Sequence, residues 1–177
     1  MNQKLKNEEL ERLSIEQFKG SEKNKIVLVL DNVRSLNNVG SVFRTSDAFL
    51  IEEIYLCGVT GLPPNKEIEK TALGATQTVS WKHFDTTLEA ITELREKKYR
   101  IFAVEQAEKS ISLEKFNHKT GGLALIFGNE VYGVEQEVIN SCDGVIEIPQ
   151  MGSKHSLNIS VSVGIVLWEM LRKKFDN

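Results

Sequence analysis

Five short runs of apolar, β-prone residues recur along the chain, and longer segments with helical character separate them. The runs span residues 26–30, 53–57, 100–104, 123–127 and 145–148. Most are too apolar to leave one face in water, so a sheet built from them needs helices on both faces. Helices are predicted at 39–50, 87–98, 134–141 and about 156–175. This alternation predicts an α/β fold with a mainly parallel sheet, whose ligands bind beyond the carboxyl ends of the strands.

The size and composition of the chain are those of one globular domain. Its 177 residues include 41% hydrophobic side chains, which is enough for a substantial core. The 22 basic residues are outnumbered by 25 acidic ones, so the formal net charge is −3. Binding to nucleic acid through bulk charge alone is therefore excluded, although a local basic face is compatible with this balance.

The cysteines and histidines are too scattered to indicate a metal site or a disulfide framework. The cysteines are Cys57 and Cys142, no CxxC pair occurs, and the histidines are His83, His118 and His155. Reduced thiols and no bound metal are expected. No segment resembles a signal peptide or a membrane span. We therefore expect a soluble, cytoplasmic protein with no membrane partner.

Residues 1–24 are mostly charged and are predicted to form a helical arm on the core. Asn7 and Ser14 precede acidic residues, as helix N-caps do, and Gly20 suits the end of a short helix. From residue 25 to residue 177, no repeat, low-complexity tract or flexible linker interrupts the chain. A single domain is expected over 25–177.

Polar, glycine-containing segments follow the first and fourth runs. Asn38 is expected just before a helix that contains Gly40 and Arg44, and the free N–H groups of a helix start suit an anion or a sugar. An ordinary N-cap with a surface arginine fits these residues equally well. Gly128 lets a ligand approach the backbone, and Glu130 places a carboxylate at the mouth of the crevice. A plain strand-to-helix turn is the competing interpretation.

The last run leads into a glycine-containing loop and a long apolar helix. Ser156 or Asn158 is expected to cap this helix. The helix is apolar most of the way round, which favours either full burial in the core or a shared face with a second subunit. His155 alone is not interpreted as catalytic, because a single loop histidine is usually a surface residue.

Several common enzyme motifs are absent from the sequence. It contains no GxGxxG after the first run, no GxxxxGK[ST], no GxSxG and no HExxH. A Rossmann dehydrogenase, a P-loop NTPase, an α/β-hydrolase and a zincin are therefore not expected. Three loops rich in hydrogen-bonding groups but poor in metal ligands suit group transfer from a bound cofactor.

Three segments of the chain resemble the ordered motifs of one family. NNVGSVFRTSDAF, ALIFGNEVYGVEQEV and IEIPQMGSKHSLNISVSVGIVLWE are similar, in order and spacing, to the three motifs of the SpoU (TrmH-like) RNA ribose methyltransferases of the SPOUT superfamily. The resemblance covers about residues 25–172. It implies an α/β fold with a C-terminal deep trefoil knot, a homodimer with the active site at the subunit interface, and S-adenosylmethionine as cofactor. The implied reaction methylates a ribose 2′-hydroxyl of tRNA or rRNA.

Carried over position by position, the resemblance also implies roles for individual residues. The implied cofactor-binding residues are Gly128, Ile148, Leu157 and, beside the adenine, Glu105. The implied catalytic pair is Asn38 and Arg44. Further residues that shape the catalytic site are Glu130, Ser156 and Asn158.

The chemistry of arginine limits the role of Arg44. An ordinary guanidinium stays protonated in water, so electrostatic activation of the hydroxyl or binding of a phosphate ranks ahead of action as a base. The chain also departs from the family, since Ser35-Leu36 stands where many members have Asp-Pro. Two alternatives stay open: a non-catalytic RNA-binding or ribosome-assembly module of the same fold, and a methyltransferase that acts on a base atom.

Overall fold

The computed structural model describes residues 2–6, 9–118 and 120–175, and its helices and strands alternate along most of the chain. The strands in this part of the chain are β1 (Asn24–Asp31), β2 (Ile51–Cys57), β3 (Ser80–Phe84), β4 (Tyr99–Val104), β5 (Ile111–Ser112), β6 (Gly122–Phe127) and β7 (Gly144–Glu147). The α-helices are α1 (Ile15–Gly20), α2 (Leu36–Ala48), α3 (Lys66–Ala72), α4 (Thr87–Glu96), α5 (Gln136–Asn140) and α6 (Ile159–Leu171).

The strands form one sheet in the order β3-β2-β1-β6-β4-β7-β5. Every pairing is parallel, as the sequence predicted. The centre of the sheet is in register across three strands, because Leu28 of β1 lies opposite Ile54 of β2 and Leu125 of β6. The carboxyl ends of all strands therefore meet at one edge, where the loops after β1, β4, β6 and β7 lie side by side.

The sheet separates two apolar layers, which confirms the prediction of helices on both faces. Leu28 points into the layer that contains Phe43 of α2 and Val163 of α6. Val29, the next residue of β1, points into the opposite layer with Leu94 of α4. All five of these side chains are fully buried. Successive side chains of each strand thus point into opposite layers, and because both layers are apolar, the strand runs are apolar throughout.

The five predicted runs are all strands, and each boundary lies within two residues of its predicted position. The strands β3 and β5 and the helix α3 were not predicted. β3 lies at an edge of the sheet and is only partly buried, so its sequence SWKHF has no strong apolar signal. β5 has only two residues. α3 buries only Ile68 and Ala72, which is too few apolar positions to reveal a helical period.

The start of α2 differs from the prediction. The helix begins at Leu36, so Asn38 lies inside its first turn rather than before it. The cause is Ser35, whose hydroxyl accepts a hydrogen bond from the Asn38 N–H at 3.3 Å and so caps the helix earlier.

The other helix ends also differ modestly from the predictions. α6 begins at Ile159 with Asn158 as its N-cap, so Ser156 lies in the preceding loop and does not cap the helix. In the N-terminal segment, Ser14 caps α1 through a reciprocal pair of bonds with Gln17. The predicted cap at Asn7 lies outside the described residues. The division at residue 24 stays a prediction.

A network of charged and phenolic groups joins α4 to the strands β2 and β3. The Glu93 carboxylate accepts hydrogen bonds from the Tyr55 hydroxyl at 2.7 Å and from Lys82 at 2.6 Å. Lys97 lies 2.6 Å from the same carboxylate oxygen. Hydrogen bonds from Lys82, Lys97 and Tyr55, opposed by partial burial, lower the pKa of Glu93 to about 2. The ionised carboxylate is therefore favoured in the folded state.

The substitution Glu93→Gln tests this network. Because folding lowers the pKa of Glu93 below its ordinary value of 4.5, the stabilisation is present above that pH and is lost as pH falls towards about 2. We expect the variant to melt at a lower temperature than the wild type at neutral pH, with a difference that shrinks between these two pH values. Thermal unfolding followed by circular dichroism across this range measures it.

Glu67→Gln is the matched control, because the Glu67–Lys70 ion pair lies on the surface with both side chains exposed. Such pairs contribute little to stability. A pH-independent difference for Glu93→Gln, or an equal effect in the control, would contradict the assignment.

Candidate functional site

A cleft of about 700 Å³ opens at the carboxyl edge of the sheet. Its walls come from the ends of β4 and β6, the loop after β7 and the first turn of α6. This position agrees with the rule that ligands of parallel α/β sheets bind beyond the carboxyl ends of the strands. Seven of the predicted site residues line the cleft: Glu105, Gly128, Glu130, Ile148, Ser156, Leu157 and Asn158.

Glu130 joins the loop after β6 to the start of α2. Its two carboxylate oxygens accept hydrogen bonds from the backbone N–H of Arg34 at 3.1 Å and of Ser35 at 3.0 Å. The side-chain amide of Asn38 donates a third bond at 3.1 Å. The carboxylate therefore occupies the N-terminal end of α2, where unpaired N–H groups and the helix dipole favour a negative charge.

The hydrogen bonds also set the charge state of Glu130. Partial burial acts to raise the pKa of this carboxyl group, but the bonds from the Arg34 N–H, the Asn38 amide and the nearby backbone outweigh it and lower the pKa. An ionised carboxylate with several donors is a structural anchor rather than a free proton acceptor.

Asn38 and Asn158 extend this connection to the last helix. The Asn158 side-chain nitrogen donates to the Asn38 side-chain oxygen at 3.1 Å. The Asn158 oxygen also caps α6 by accepting from the Ser160 N–H at 2.9 Å. The chain of bonds from Glu130 through Asn38 to Asn158 thus brings together three loops that lie far apart in the sequence.

Gly128 allows two stretches of backbone to approach each other closely. A Cβ atom at this position would lie 2.1 Å from the carbonyl carbon of Gly133 and 2.2 Å from the Val134 nitrogen. Asn129 and Gly133 exchange two backbone hydrogen bonds of 2.9 Å across the same turn. The end of β6 therefore presents bare backbone to the cleft.

Asn129 was not predicted as a site residue, although it holds the loop after β6 in place. Its side-chain nitrogen donates to the Asn32 carbonyl at 2.8 Å. Its side-chain oxygen accepts from the N–H groups of Val131 at 2.8 Å and Tyr132 at 3.2 Å. The available signal was an asparagine directly after a glycine at a strand end, where such side chains often bond to nearby backbone.

Glu105 lies at the cleft wall after β4 and is held by the backbone of two loops. Its carboxylate accepts from the Val134 N–H at 3.1 Å and from the Gln106 N–H at 2.8 Å. Gln106, which was not predicted, donates from its side chain to the His155 carbonyl at 2.5 Å. These bonds tie the loop after β7 to the end of β4.

Ile148, Leu157 and Ser156 give the cleft its apolar and open sides. Ile148 is half-buried against the core, and Leu157 exposes 38% of its surface. Ser156 is exposed, and its hydroxyl has no hydrogen-bond partner among the described residues. A ligand with both an apolar ring and hydrogen-bonding groups fits such a mixed surface.

Arg44 does not line the cleft of its own chain. The side chain is exposed on α2 and has no hydrogen bond or ion pair with the described residues. Arg44 follows Asn38 by six positions, which places it about 9 Å further along the helix and roughly 120° around it. No hydrogen bond joins Arg44 to Asn38, and the role of the predicted catalytic pair stays a prediction.

The described part of the chain contains neither a metal site nor a membrane-spanning helix. No group of three or more histidine, cysteine or acidic side chains there could hold a metal ion. Within the same residues, no helix has the length and apolar character to cross a membrane.

Comparisons with known proteins relate the chain to one group of enzymes. The model of the SpoU rRNA Methylase family matches residues 25–168. The 23S rRNA (guanosine-2′-O-)-methyltransferase RlmB of Pasteurella multocida is 31% identical over 172 residues, which cover 94% of this chain and 67% of that protein. The tRNA (guanosine(18)-2′-O)-methyltransferase of Thermus thermophilus is 28% identical over 166 residues, covering 94% of this chain and 84% of that protein.

Solved structures agree with these sequence relationships. The AdoMet-bound rRNA methyltransferase from Sinorhizobium meliloti is 27% identical, with a TM-score of 0.79 over 86% of this chain. The match covers 57% of that solved chain, so this chain spans less than two thirds of its length.

The substitution Gly128→Ala tests the close backbone approach at the cleft. Because the added methyl group would overlap the backbone of Gly133 and Val134, we expect a loss of about 1–3 kcal/mol in the free energy of unfolding. Chemical denaturation measures this loss. Gly152→Ala is the matched control, because its Cβ would have no neighbour within 4 Å. Equal stability of the two variants would refute the role of Gly128.

Proposed function

This chain belongs to the SpoU rRNA methylase family, whose model matches residues 25–168, and from that premise we propose that it methylates a ribose 2′-hydroxyl of tRNA or rRNA with S-adenosylmethionine. The observation that supports this most strongly is the bonded series Glu130–Asn38–Asn158, because it joins the three motif segments at the edge of one cleft. Two related enzymes, described above, modify guanosine 2′-O positions in 23S rRNA and in tRNA.

The residues of the cleft fit S-adenosylmethionine. Gly128 leaves the backbone open to close approach, and Ile148 and Leu157 offer apolar surface for the adenine or the methionine chain. Glu105 lies on the same wall and can accept hydrogen bonds from hydroxyl or amino groups. When bound, the cofactor supplies an electrophilic methyl group on a positively charged sulfur.

The remaining task for the protein is to present a poor nucleophile to that methyl group. A ribose hydroxyl must be aligned, and its proton must be drawn away as the new bond forms. The Ser156 hydroxyl, without a partner among the described residues, is available to contact the substrate. Asn38 and Asn158 bond to each other, and Glu130 fixes Asn38, so their roles are to orient the site.

Arg44 is assigned to the substrate rather than to the cofactor. A guanidinium holds a fixed positive charge and two parallel donors, so it binds a phosphate or polarises the attacking oxygen. Its side chain is exposed and does not line the cleft of its own chain. Arg44 is therefore proposed to act at the cleft of a second copy of the chain.

The last helix supports a homodimer. α6 buries Val163 and Leu167 in its own core, yet its other side exposes Val161, Ile165 and Trp168 by 50%, 37% and 54%. A groove of about 400 Å³ adjoins Trp168 and is lined mainly by apolar groups. A helix that is apolar all round is ordinarily covered, and a two-fold partner would cover this face with the same face of its own.

Three further features are also proposed. The deep trefoil knot in the C-terminal part rests on the family resemblance, whereas the division into an arm over 1–24 and a methyltransferase domain over 25–177 and the cytoplasmic location rest on the sequence itself.

Methyl transfer from labelled S-adenosylmethionine to separate unmodified tRNA and rRNA pools tests the proposed function. Label in a 2′-O-methylnucleoside after nuclease digestion is the expected result. Arg44→Lys is the matched variant, since it keeps the charge but loses the planar donors. We expect turnover to fall by roughly 100-fold while cofactor affinity, measured by calorimetry, stays unchanged.

Other outcomes would redirect the proposal. Label in a base would assign the enzyme to base methylation, and cofactor binding without transfer to either pool would favour a non-catalytic RNA-binding module. Full activity of Arg44→Lys would overturn any role that needs the guanidinium group.

The substitution Trp168→Lys tests the homodimer. A charged group on the exposed face of α6 would be buried without a partner in a dimer, at a cost of several kcal/mol, but would stay in water in a monomer. We expect the wild type to sediment at twice the mass of one chain and the variant at the mass of one. Glu67→Gln, on the surface of α3, raises the net charge by one as Trp168→Lys does and is the matched control. A wild-type monomer would refute the proposal.

A further inference from the structure

An exposed aromatic ring lies at the mouth of the cleft. Tyr132 exposes 83% of its surface, and the neighbouring Val131 exposes 74%. Both residues line the cleft, in the same turn as Glu130. A large ring with so little contact contributes almost nothing to the stability of its own chain. The ring is therefore available to contact another molecule.

The backbone beneath Tyr132 is held firmly. Its N–H and that of Val131 both donate to the Asn129 side-chain oxygen, at 3.2 and 2.8 Å. The two backbone bonds between Asn129 and Gly133 close the turn on either side. The ring therefore projects from a fixed base, and little backbone entropy is lost when a flat ligand settles on it.

A positively charged residue, Arg34, has its backbone against Glu130. The backbone N–H of Arg34 donates to the Glu130 carboxylate at 3.1 Å, which places Arg34 beside the turn that bears Tyr132. The Arg34 side chain is exposed and has no ion-pair or hydrogen-bond partner among the described residues. The three bonds that Glu130 accepts from α2 and the segment before it come from two backbone N–H groups and the Asn38 amide, and none comes from the Arg34 guanidinium.

These two side chains match the chemistry of a single-stranded nucleotide. Unpaired bases stack on aromatic rings, every base offers a flat face, and guanidinium groups bind the phosphates between them. We infer that Tyr132 stacks on an unpaired base of the RNA and that Arg34 binds an adjacent phosphate. This inference rests on the proposed function, and it assigns substrate positioning to two residues outside the catalytic set.

Stacking on Tyr132 also explains how an acidic chain can bind RNA. With a formal net charge of −3, the whole molecule does not attract a polyanion. A rigid ring and one unpaired guanidinium act locally and need no favourable overall charge. They also favour an unpaired nucleotide over a stacked duplex, because a base inside a helix has no free face.

The variants Tyr132→Ala and Tyr132→Phe separate the ring from its hydroxyl. We expect Tyr132→Ala to weaken binding to the unmodified tRNA or rRNA pool by roughly 5- to 100-fold, as loss of one base-stacking ring does. KM should rise by a similar factor, whereas kcat should change little. Tyr132→Phe should restore wild-type values, since it keeps the ring. Fluorescence anisotropy and steady-state kinetics provide the two measurements.

The variant Arg34→Gln tests the phosphate contact through salt. Removing one contact to a single strand should reduce the slope of log K against log salt by about 0.7, whereas Tyr132→Ala should leave the slope unchanged. Arg100→Gln is the matched control: it removes a guanidinium from the start of β4, at the opposite edge of the sheet, where Arg100 lies over the Phe102 ring. Its slope should equal that of the wild type.

Photo-crosslinking gives a readout that does not depend on turnover. An oligoribonucleotide that contains 5-iodouridine reacts on irradiation with aromatic side chains in contact with the base, and peptide mass spectrometry locates the adduct. An adduct on Tyr132 is the expected result. RNA binding that is unchanged in both Tyr132→Ala and Arg34→Gln, or an adduct only elsewhere, would overturn the inference and leave the proposed function standing if the wild type methylates RNA.

Two further outcomes are also decisive. A wild type that binds cofactor but neither binds nor methylates RNA would overturn the proposed function together with this inference. If Tyr132→Ala converts a wild-type dimer into monomers in sedimentation, the ring contacts a second copy of the chain, and the stacking inference fails.

Discussion

The Glu130 carboxylate is the contact on which the geometry of the cleft depends. Its oxygens accept two backbone N–H groups at the start of α2 and the amide of Asn38. Asn38 in turn receives the amide of Asn158, the residue that caps α6. The Ser35 N–H and the Ser160 N–H, at the starts of α2 and α6, find their partners in Glu130 and Asn158 and would otherwise lack one. The residues at the starts of two helices, Asn38 and Asn158, therefore also hold the three motif segments together.

Because these residues hydrogen-bond to one another, most of the site residues are polar but are not reactive by themselves. An ionised, multiply bonded Glu130 and a paired Asn38 and Asn158 hold loops in place, whereas Ser156, Arg34 and Arg44 have side chains with no partner among the described residues. The site residues therefore fall into two groups: those that hold the shape of the cleft and those that are available to contact a substrate. Tyr132 belongs to the second group, because its backbone is fixed and its ring is exposed.

The sequence predicted the sheet and most of the cleft for clear physical reasons. Strands buried on both faces give unbroken apolar runs, so β1 and β6 were visible, whereas the half-exposed edge strand β3 was not. The family resemblance indicated Glu130 and Asn158, but it assigned no role to Asn129 or Gln106, whose side-chain bonds only the folded structure shows. The order of the strands could not be predicted, because parallel pairing leaves no mark on the spacing of residues.

The position of β6 has a consequence for how the molecule is made. β6 lies between β1 and β4, yet it is synthesised after both of them. Until residues 122–127 leave the ribosome, β1 and β4 each present an unpaired edge, with backbone groups open to other chains. The middle of the sheet is thus completed late, by insertion of a strand between two others. Folding of this chain is expected to be slow and sensitive to aggregation during synthesis, since its central contacts join residues far apart in sequence.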